Sequence, residues 1–276
     1  MSTPWCTALL RSRAAHVQRV TLVEAPCGED SEIAQANADL MGASLRIIKP
    51  VPGHPPQRRP PALVCGAVAE WELDVLTPKG RGTLGAYLAK LTPMPGTEMV
   101  HFHASPVCTG SSRVTLCLNK KGLRYAVRRY HSKCRKGVGG MTRVIQKFRR
   151  GGYHRSGQRR SASSEQPWNA SLRSRYGTFR YPRLVARYTQ MLAGVNGCVC
   201  GLRVGDLPSC KKWMFQTDNP SLAGMLSHLH CDSDHECAPS LGGNVLAATG
   251  RYPRTLGRLF VLSLMLYWYK GQAWTV

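Results

Sequence analysis

The chain has 276 residues, 43% of them hydrophobic, enough apolar material for one large domain with a real core. Its formal net charge of +23 and pI of ≈ 10.1 are extreme for a soluble enzyme and favour a polyanionic partner, most simply nucleic acid; the bland alternative is a basic, partly disordered tract without a ligand. No segment reaches the ~20 apolar residues that a bilayer span needs, so no membrane partner is expected.

Val17 to Glu24 is β-branched and apolar and reads as a first strand. Residues 1–16 before it read as a flexible extension. They lack the apolar core of a secretory signal. Together with an odd count of 11 cysteines, this points to reduced thiols and an intracellular protein, nuclear or nucleic-acid-associated if eukaryotic. Ala25 to Ser31 follows as a loop, and Glu32 to Met41 has helical composition with Ser31 as a plausible N-cap. Leu45 to Lys49 reads as a second strand, giving a β-turn-α-β opening.

Pro50 to Pro61 is an exposed Pro/Arg loop. Val64 to Leu76 carries acids near a strand end, and Gly80 to Leu91 has helical composition. Met99 to Ala104 is the next strand, leading into a loop that carries Cys108. Arg113 to Phe148 starts like a helix but loses its apolar period, and residues 133–163 read as an exposed basic insertion of weak local order. Order resumes near Ser164. Tyr181 to Leu192 reads as a helix, Val195 to Val204 and Lys212 to Gln216 as strands. Pro220 to Leu229 reads as a short helix capped by Asn219 or Asp218, and Tyr252 to Tyr269 as the last helix.

The charge is uneven. Residues 99–164 contain no Asp or Glu but sixteen Lys and Arg, so these cations lack acidic neighbours in sequence and are expected to meet phosphates. The tract ends at Glu165.

Two positions carry candidate chemistry. Cys108 lies on a loop that leaves a strand at its carboxyl end, where open α/β sheets place their sites, although an isolated cysteine is more often a buried structural residue. Glu165 closes the acid-free tract; taken alone it reads as a surface acid.

Three pieces stand in order along the chain: Ala25-Pro26-Cys27-Gly28, Ala104-Ser105-Pro106-Val107-Cys108 and Glu165-Gln166-Pro167. Together they resemble DNA (cytosine-5) methyltransferases, in particular the divergent viral, phage and mobile-element-type members. The resemblance runs over most of residues 18–260 and is thin between 113 and 163. It implies an α/β fold with a Rossmann-like S-adenosylmethionine-dependent methyltransferase sheet and helices on both faces. That domain would span 17–270, with a basic, disordered tract at 119–163.

The same resemblance implies S-adenosyl-L-methionine as cofactor and DNA as substrate, with RNA as an alternative. Cys108 takes the role of the thiolate that attacks C6 of a flipped cytosine. Glu165 takes that of the carboxylic acid that meets the cytosine edge at N3. Pro26 and Gly28 lie in the cofactor turn, Glu24, Asp30 and Ser31 supply polar contacts, and Asp74 is the adenine-side acid. The chain departs from the family at Val107, where a second proline stands, in the turn that keeps only Gly28, and at Lys49-Pro50, where an acid is usual. These departures leave open a relative that binds nucleic acid but has lost the chemistry.

Near the C-terminus Cys198, Cys200, Cys210, Cys231, His235 and Cys237 form a Cys/His-rich series that could hold zinc or supply ordinary core cysteines. The series lacks the paired Cys-x-x-Cys spacing, so no metal ligand is assigned. A zinc-stabilised nucleic-acid module is the third alternative. Arg203, Lys211 and Lys212 are candidate phosphate contacts or a solvated strand edge.

Overall fold

The computed structural model describes residues 19–25, 31–41, 63–65, 77–91, 98–105, 122, 125, 132, 139–149, 159–167, 191–232, 234–238 and 252–273. Within them the fold is α/β. Strands β1 (Arg19–Ala25), β2 (Leu63–Cys65), β3 (Glu98–Ala104), β4 (Arg159–Pro167), β5 (Met191–Asn196) and β8 (Lys212–Thr217) form one mixed sheet in the order β2-β1-β3-β4-β8-β5. β1, β3 and β4 are parallel neighbours, β2 runs antiparallel to β1, and β8 runs antiparallel between β4 and β5. Two short strands, β6 (Arg203–Val204) and β7 (Leu207–Pro208), make a separate hairpin.

Side chains alternate across a strand, and each face is covered by helices. On one face Val20, Leu22, Met99, Ala193, Val195, Trp213 and Phe215 pack against α1 (Glu32–Met41), α4 (Pro220–Ser227) and α5 (Arg254–Ala273). On the other, Val23, Val100, Phe102, Ala104 and Ala162 pack against α2 (Pro78–Lys90) and α3 (residues 139–149). The helix starts are written locally. Thr77 Oγ1 accepts from Gly80 N at 3.0 Å with Pro78 in the first turn, and Asn219 Oδ1 accepts from Leu222 N at 2.9 Å with Pro220 next. α5 buries Leu256, Phe260, Val261 and Leu264, one stripe of a helix. A Cβ at Gly257 would stand 2.4 Å from the Glu32 carbonyl oxygen, so only glycine lets α5 approach the first turn of α1 this closely.

Several expectations change. Much of the basic stretch read as an exposed insertion belongs to the fold: α3 buries Met141, Val144, Ile145 and Phe148, and β4 starts at Arg159 in mid-sheet. Nor are all its cations available to phosphate. Arg149 pairs with Asp218 at 2.6 Å and donates to the Arg160 carbonyl, while Arg160 donates to the carbonyls of Leu91 and Phe148. A tract without acids in sequence meets an acid in space, because β8 ends beside it. Met191 and Leu192 open β5 instead of ending a helix, since pairing with β8 buries Ala193 and Val195. The expected strand at Val195 to Val204 is interrupted by a 3-10 turn, Gly197–Cys200, where the Gly197 N–H turns to the Lys211 carbonyl. The expected strand at Leu45 to Lys49 lies outside the described residues. Among the described residues no helix is long and apolar enough to cross a membrane.

Candidate active site

The chain leaves β1 toward β2 on one side of the sheet and returns to β3 on the other. The carboxyl ends of β1 and β3 flank this switch, the position where open α/β sheets bind ligands. Glu24 and Ala25 end β1, opposite His103 and Ala104 of β3, and Ser105 follows. On β4, Ser163 lies opposite His103, and Glu165 comes two residues later on the same face. Glu24, His103, Ser163 and Glu165 therefore share the face covered by α5. Tyr252, just before α5, stands among them.

Both carboxyls are held far from their ordinary state. Glu24 is only 4% exposed, and burial raises its pKa from 4.5 to about 7, partly offset by the hydrogen bond that Ser31 Oγ donates to it. Glu165 is part-buried and also moves from 4.5 to about 7; burial is the main cause, opposed by the nearby Lys211 ammonium and by the hydrogen bond from Tyr252. The Tyr252 phenol is pushed well above 10 by its own burial and by the negative charge that Glu165 and Glu24 can carry on either side. Near neutral pH each carboxyl is therefore poised between acid and carboxylate.

Behind them runs a hydrogen-bonded chain through the sheet. His101 Nδ1 meets Ser161 Oγ at 2.6 Å and His101 Nε2 meets Ser163 Oγ at 2.8 Å. His103 Nδ1 meets the same Ser163 oxygen at 2.7 Å, His103 Nε2 meets Ser105 Oγ at 3.1 Å, and Ser105 Oγ meets Tyr252 OH at 3.0 Å. Both imidazoles are fully buried, beside Phe260, and burial drives His103 from 6.5 to about 3 and His101 well below 6.5. They are neutral, with one donor and one acceptor nitrogen each. That bookkeeping gives the chain a direction. When Tyr252 donates to ionised Glu165, Ser105 donates to Tyr252, His103 Nε2–H to Ser105, Ser163 to His103 Nδ1, His101 Nε2–H to Ser163, and Ser161 to His101 Nδ1. A proton on Glu165 lets the carboxyl donate as well as accept, so it no longer imposes this direction.

Of the expected site residues, the structure thus brings together Glu24, Ser31 and Glu165. Cys108, Pro26, Gly28, Asp30 and Asp74 lie outside the described residues. Sequence reasoning missed Tyr252, His101, His103 and Ser163. A signal existed in His-Phe-His facing Ser-Ala-Ser with the same alternation; for Tyr252 there was none beyond a Tyr-Pro before a helix. Of the expected phosphate contacts, Lys211 lies near Glu165 with its Nζ 5.4 Å from the Trp213 ring centre, and exposed Arg203 donates to the Asp206 carbonyl of its own hairpin. A second group of ligand-bearing side chains, Cys198, Cys210, Cys231 and His235, gathers beyond the carboxyl end of β5.

The chain matches no protein-family profile, no curated protein and no solved structure.

Proposed function

We propose that the chain transfers a methyl group from S-adenosylmethionine to C5 of cytosine in DNA, on a Rossmann-like methyltransferase sheet. The observation that carries this reading is Glu165, a carboxyl poised near pH 7 and joined through Tyr252 to Ser105, first residue of the Ser-Pro-Val-Cys segment. An acid of that strength can hold a proton at N3 of a cytosine at neutral pH. Protonation there makes C6 electrophilic toward the Cys108 thiolate. Tyr252 orients the carboxyl through its hydroxyl, and Ser105 holds that hydroxyl in turn.

Bound S-adenosylmethionine supplies an electrophilic methyl group. Glu24 and Ser31 fit its cationic end: Glu24 is buried, and among the described residues no cation pairs with it. A cationic ligand drives Glu24 to its carboxylate form, so affinity should tighten as pH rises through about 7. The excess positive charge supports DNA as the macromolecular substrate, with RNA the alternative.

The test is transfer of labelled methyl from S-adenosylmethionine to cytosine-containing DNA. Cys108→Ala should reduce transfer to background, and Glu165→Gln should slow it by roughly 10²–10⁴-fold, the usual range for a positioned acid. Equal transfer by Cys108→Ala would sink the assignment. The second reading, a relative that binds nucleic acid without transfer, draws on the net charge of +23 and on Val107. Salt-sensitive DNA binding with neither transfer nor cofactor affinity would establish it instead.

A further inference from the structure

We propose that Cys198, Cys210, Cys231 and His235 form a four-coordinate structural zinc site in the thiol form of the protein. The site does not rest on the methyl-transfer reading. Its four ligand atoms all lie within 4.8 Å of one another. Cys198 Sγ is 3.5 Å from Cys210 Sγ, Cys210 Sγ is 4.0 Å from Cys231 Sγ, and Cys231 Sγ is 3.7 Å from His235 Nε2. A tetrahedron with Zn–S of about 2.3 Å has S–S edges of about 3.8 Å and slightly shorter S–N edges. The side chains already hold nearly that spacing. Three thiolates and one imidazole are a donor set that selects zinc among abundant divalent ions.

Two further features support the site. Asp234 Oδ1 lies 3.0 Å from His235 Nδ1, which fixes the proton on Nδ1 and aims the Nε2 lone pair at the cluster. The backbone also assembles the site from three separate segments. Gly197 N–H donates to the Lys211 carbonyl at 2.7 Å, Asn196 N–H to Leu229 at 2.9 Å, and Ala238 N–H to Pro208 at 2.7 Å. Cys198 thus comes from the turn after β5, Cys210 from the residues before β8, and Cys231 and His235 from the strap after α4. Cys200 is a near neighbour in sequence but is buried in the apolar core, so it is not a ligand.

In this structure Cys210 is joined to Cys237. Zinc and that disulfide are alternative states of one cysteine. A dithiol reductant gives two electrons and two protons to the Cys210–Cys237 bond and leaves as its own disulfide. Zinc then displaces three thiol protons, giving a site of net charge −1 with neutral His235. Cys237 plays no part in holding the metal; it competes for a ligand. Because Cys210 adjoins Lys211, whose ammonium lies near Glu165, the metal would fix the segment that borders the carboxyl site.

The test is the zinc content of the full chain purified with a phosphine reductant, followed by competition with a chromogenic chelator. About one zinc per chain is expected, and cobalt(II) in its place should give the intense visible bands of a tetrahedral thiolate site. Cys198→Ser and Cys231→Ser should lose stoichiometric metal, Cys200→Ser should keep it, and Asp234→Asn should weaken it roughly 10–100-fold. Cys237→Ser is the informative variant, because it frees Cys210 and should bind zinc without reductant. Absence of zinc from both the reduced wild type and Cys237→Ser overturns the proposal, as does undiminished binding by Cys198→Ser and Cys231→Ser.

Discussion

The two faces of the central strands use the same backbone for different purposes. On the face under α2 and α3, β1, β3 and β4 present Val23, Val100, Phe102, Ala104 and Ala162, a mainly apolar layer with the buried Arg160 bonded to backbone carbonyls at its edge. On the face under α5 the alternate residues of the same strands are apolar at Val20, Leu22 and Met99 and polar toward the carboxyl ends, at Glu24, His101, His103, Ser161, Ser163 and Glu165. Both faces supply burial energy. The face under α5 also buries polar groups, each of which costs stability unless it is bonded, and it bonds them in a chain from Ser161 to Glu165, with Glu24 held separately by Ser31. Polar groups are kept in a core at such a cost where their arrangement is needed.

The sharpest way to break this contrast is on the apolar face. Phe102 is fully buried, edge-on to Phe148 with ring centres 6.0 Å apart. Phe102→Ala should cost about 3–5 kcal/mol, the range for removing a buried aromatic, measured by denaturant unfolding. The pKa values of Glu24 and Glu165 should stay where they are, because Phe102 points away from them. A shift of either carboxyl in that variant would mean that the faces are not independent.

Legibility in the sequence followed the same division between local and non-local causes. α2 and α4 carry their own starting signals, Thr77-Pro78 and Asn219-Pro220; the second sets the expected start of α4, while the expected start of α2 at Gly80 falls two residues late. β4 was not, because Arg-Arg-Ser-Ala-Ser-Ser has no apolar run. Its hydroxyls are satisfied by histidines some 60 residues earlier, a pairing that only the fold creates. α3 was hidden by its charges and its Gly-Gly start, although Met141, Val144, Ile145 and Phe148 follow helical spacing. Glu165 could be named from its motif, yet Tyr252, which bonds to it, could not. The cysteine cluster drew notice, but its ligands are spaced too irregularly to be selected in advance.

A smaller effect separates the two kinds of titrating group on the polar face. Glu24 has a folded pKa of about 7 against 4.5 in the unfolded chain, so the folded state holds the proton more tightly. Its contribution is full below pH 4.5 and is lost as pH rises through 7, a change of roughly 3 kcal/mol. His101 and His103 act the other way. Their folded pKa values are depressed, so stability is lost as pH falls below 6.5, when the unfolded chain takes up protons. Between about 4.5 and 6.5 the carboxyl and imidazole slopes oppose each other. Glu24→Gln removes one carboxyl slope. Relative to wild type, the variant should gain stability with rising pH across that window, by urea unfolding at a series of pH values. A stability difference that does not change with pH would mean that Glu24 ionises normally.

The smallest expected effect is at the joint between the network and the carboxyl. Tyr252→Phe keeps the ring against Trp213 and Phe215 and removes only the hydroxyl that meets Ser105 at 3.0 Å and bonds Glu165. Loss of these bonds should cost about 1–2 kcal/mol. The direction of the accompanying pKa change is the stronger test. Tyr252 donates to the Glu165 carboxylate and so favours its charged form; without that donor, burial acts with less opposition and the Glu165 pKa should rise further above 7. Carbon-detected NMR titration of the labelled carboxyl reads this without an activity assay. In a methyl-transfer assay the same change should carry the alkaline limb of the rate profile to higher pH, if the protonated form of Glu165 serves the cytosine. A carboxyl that titrates at higher pH without moving that limb would separate the geometry from the chemistry: the network would tune Glu165, and some other group would supply the proton.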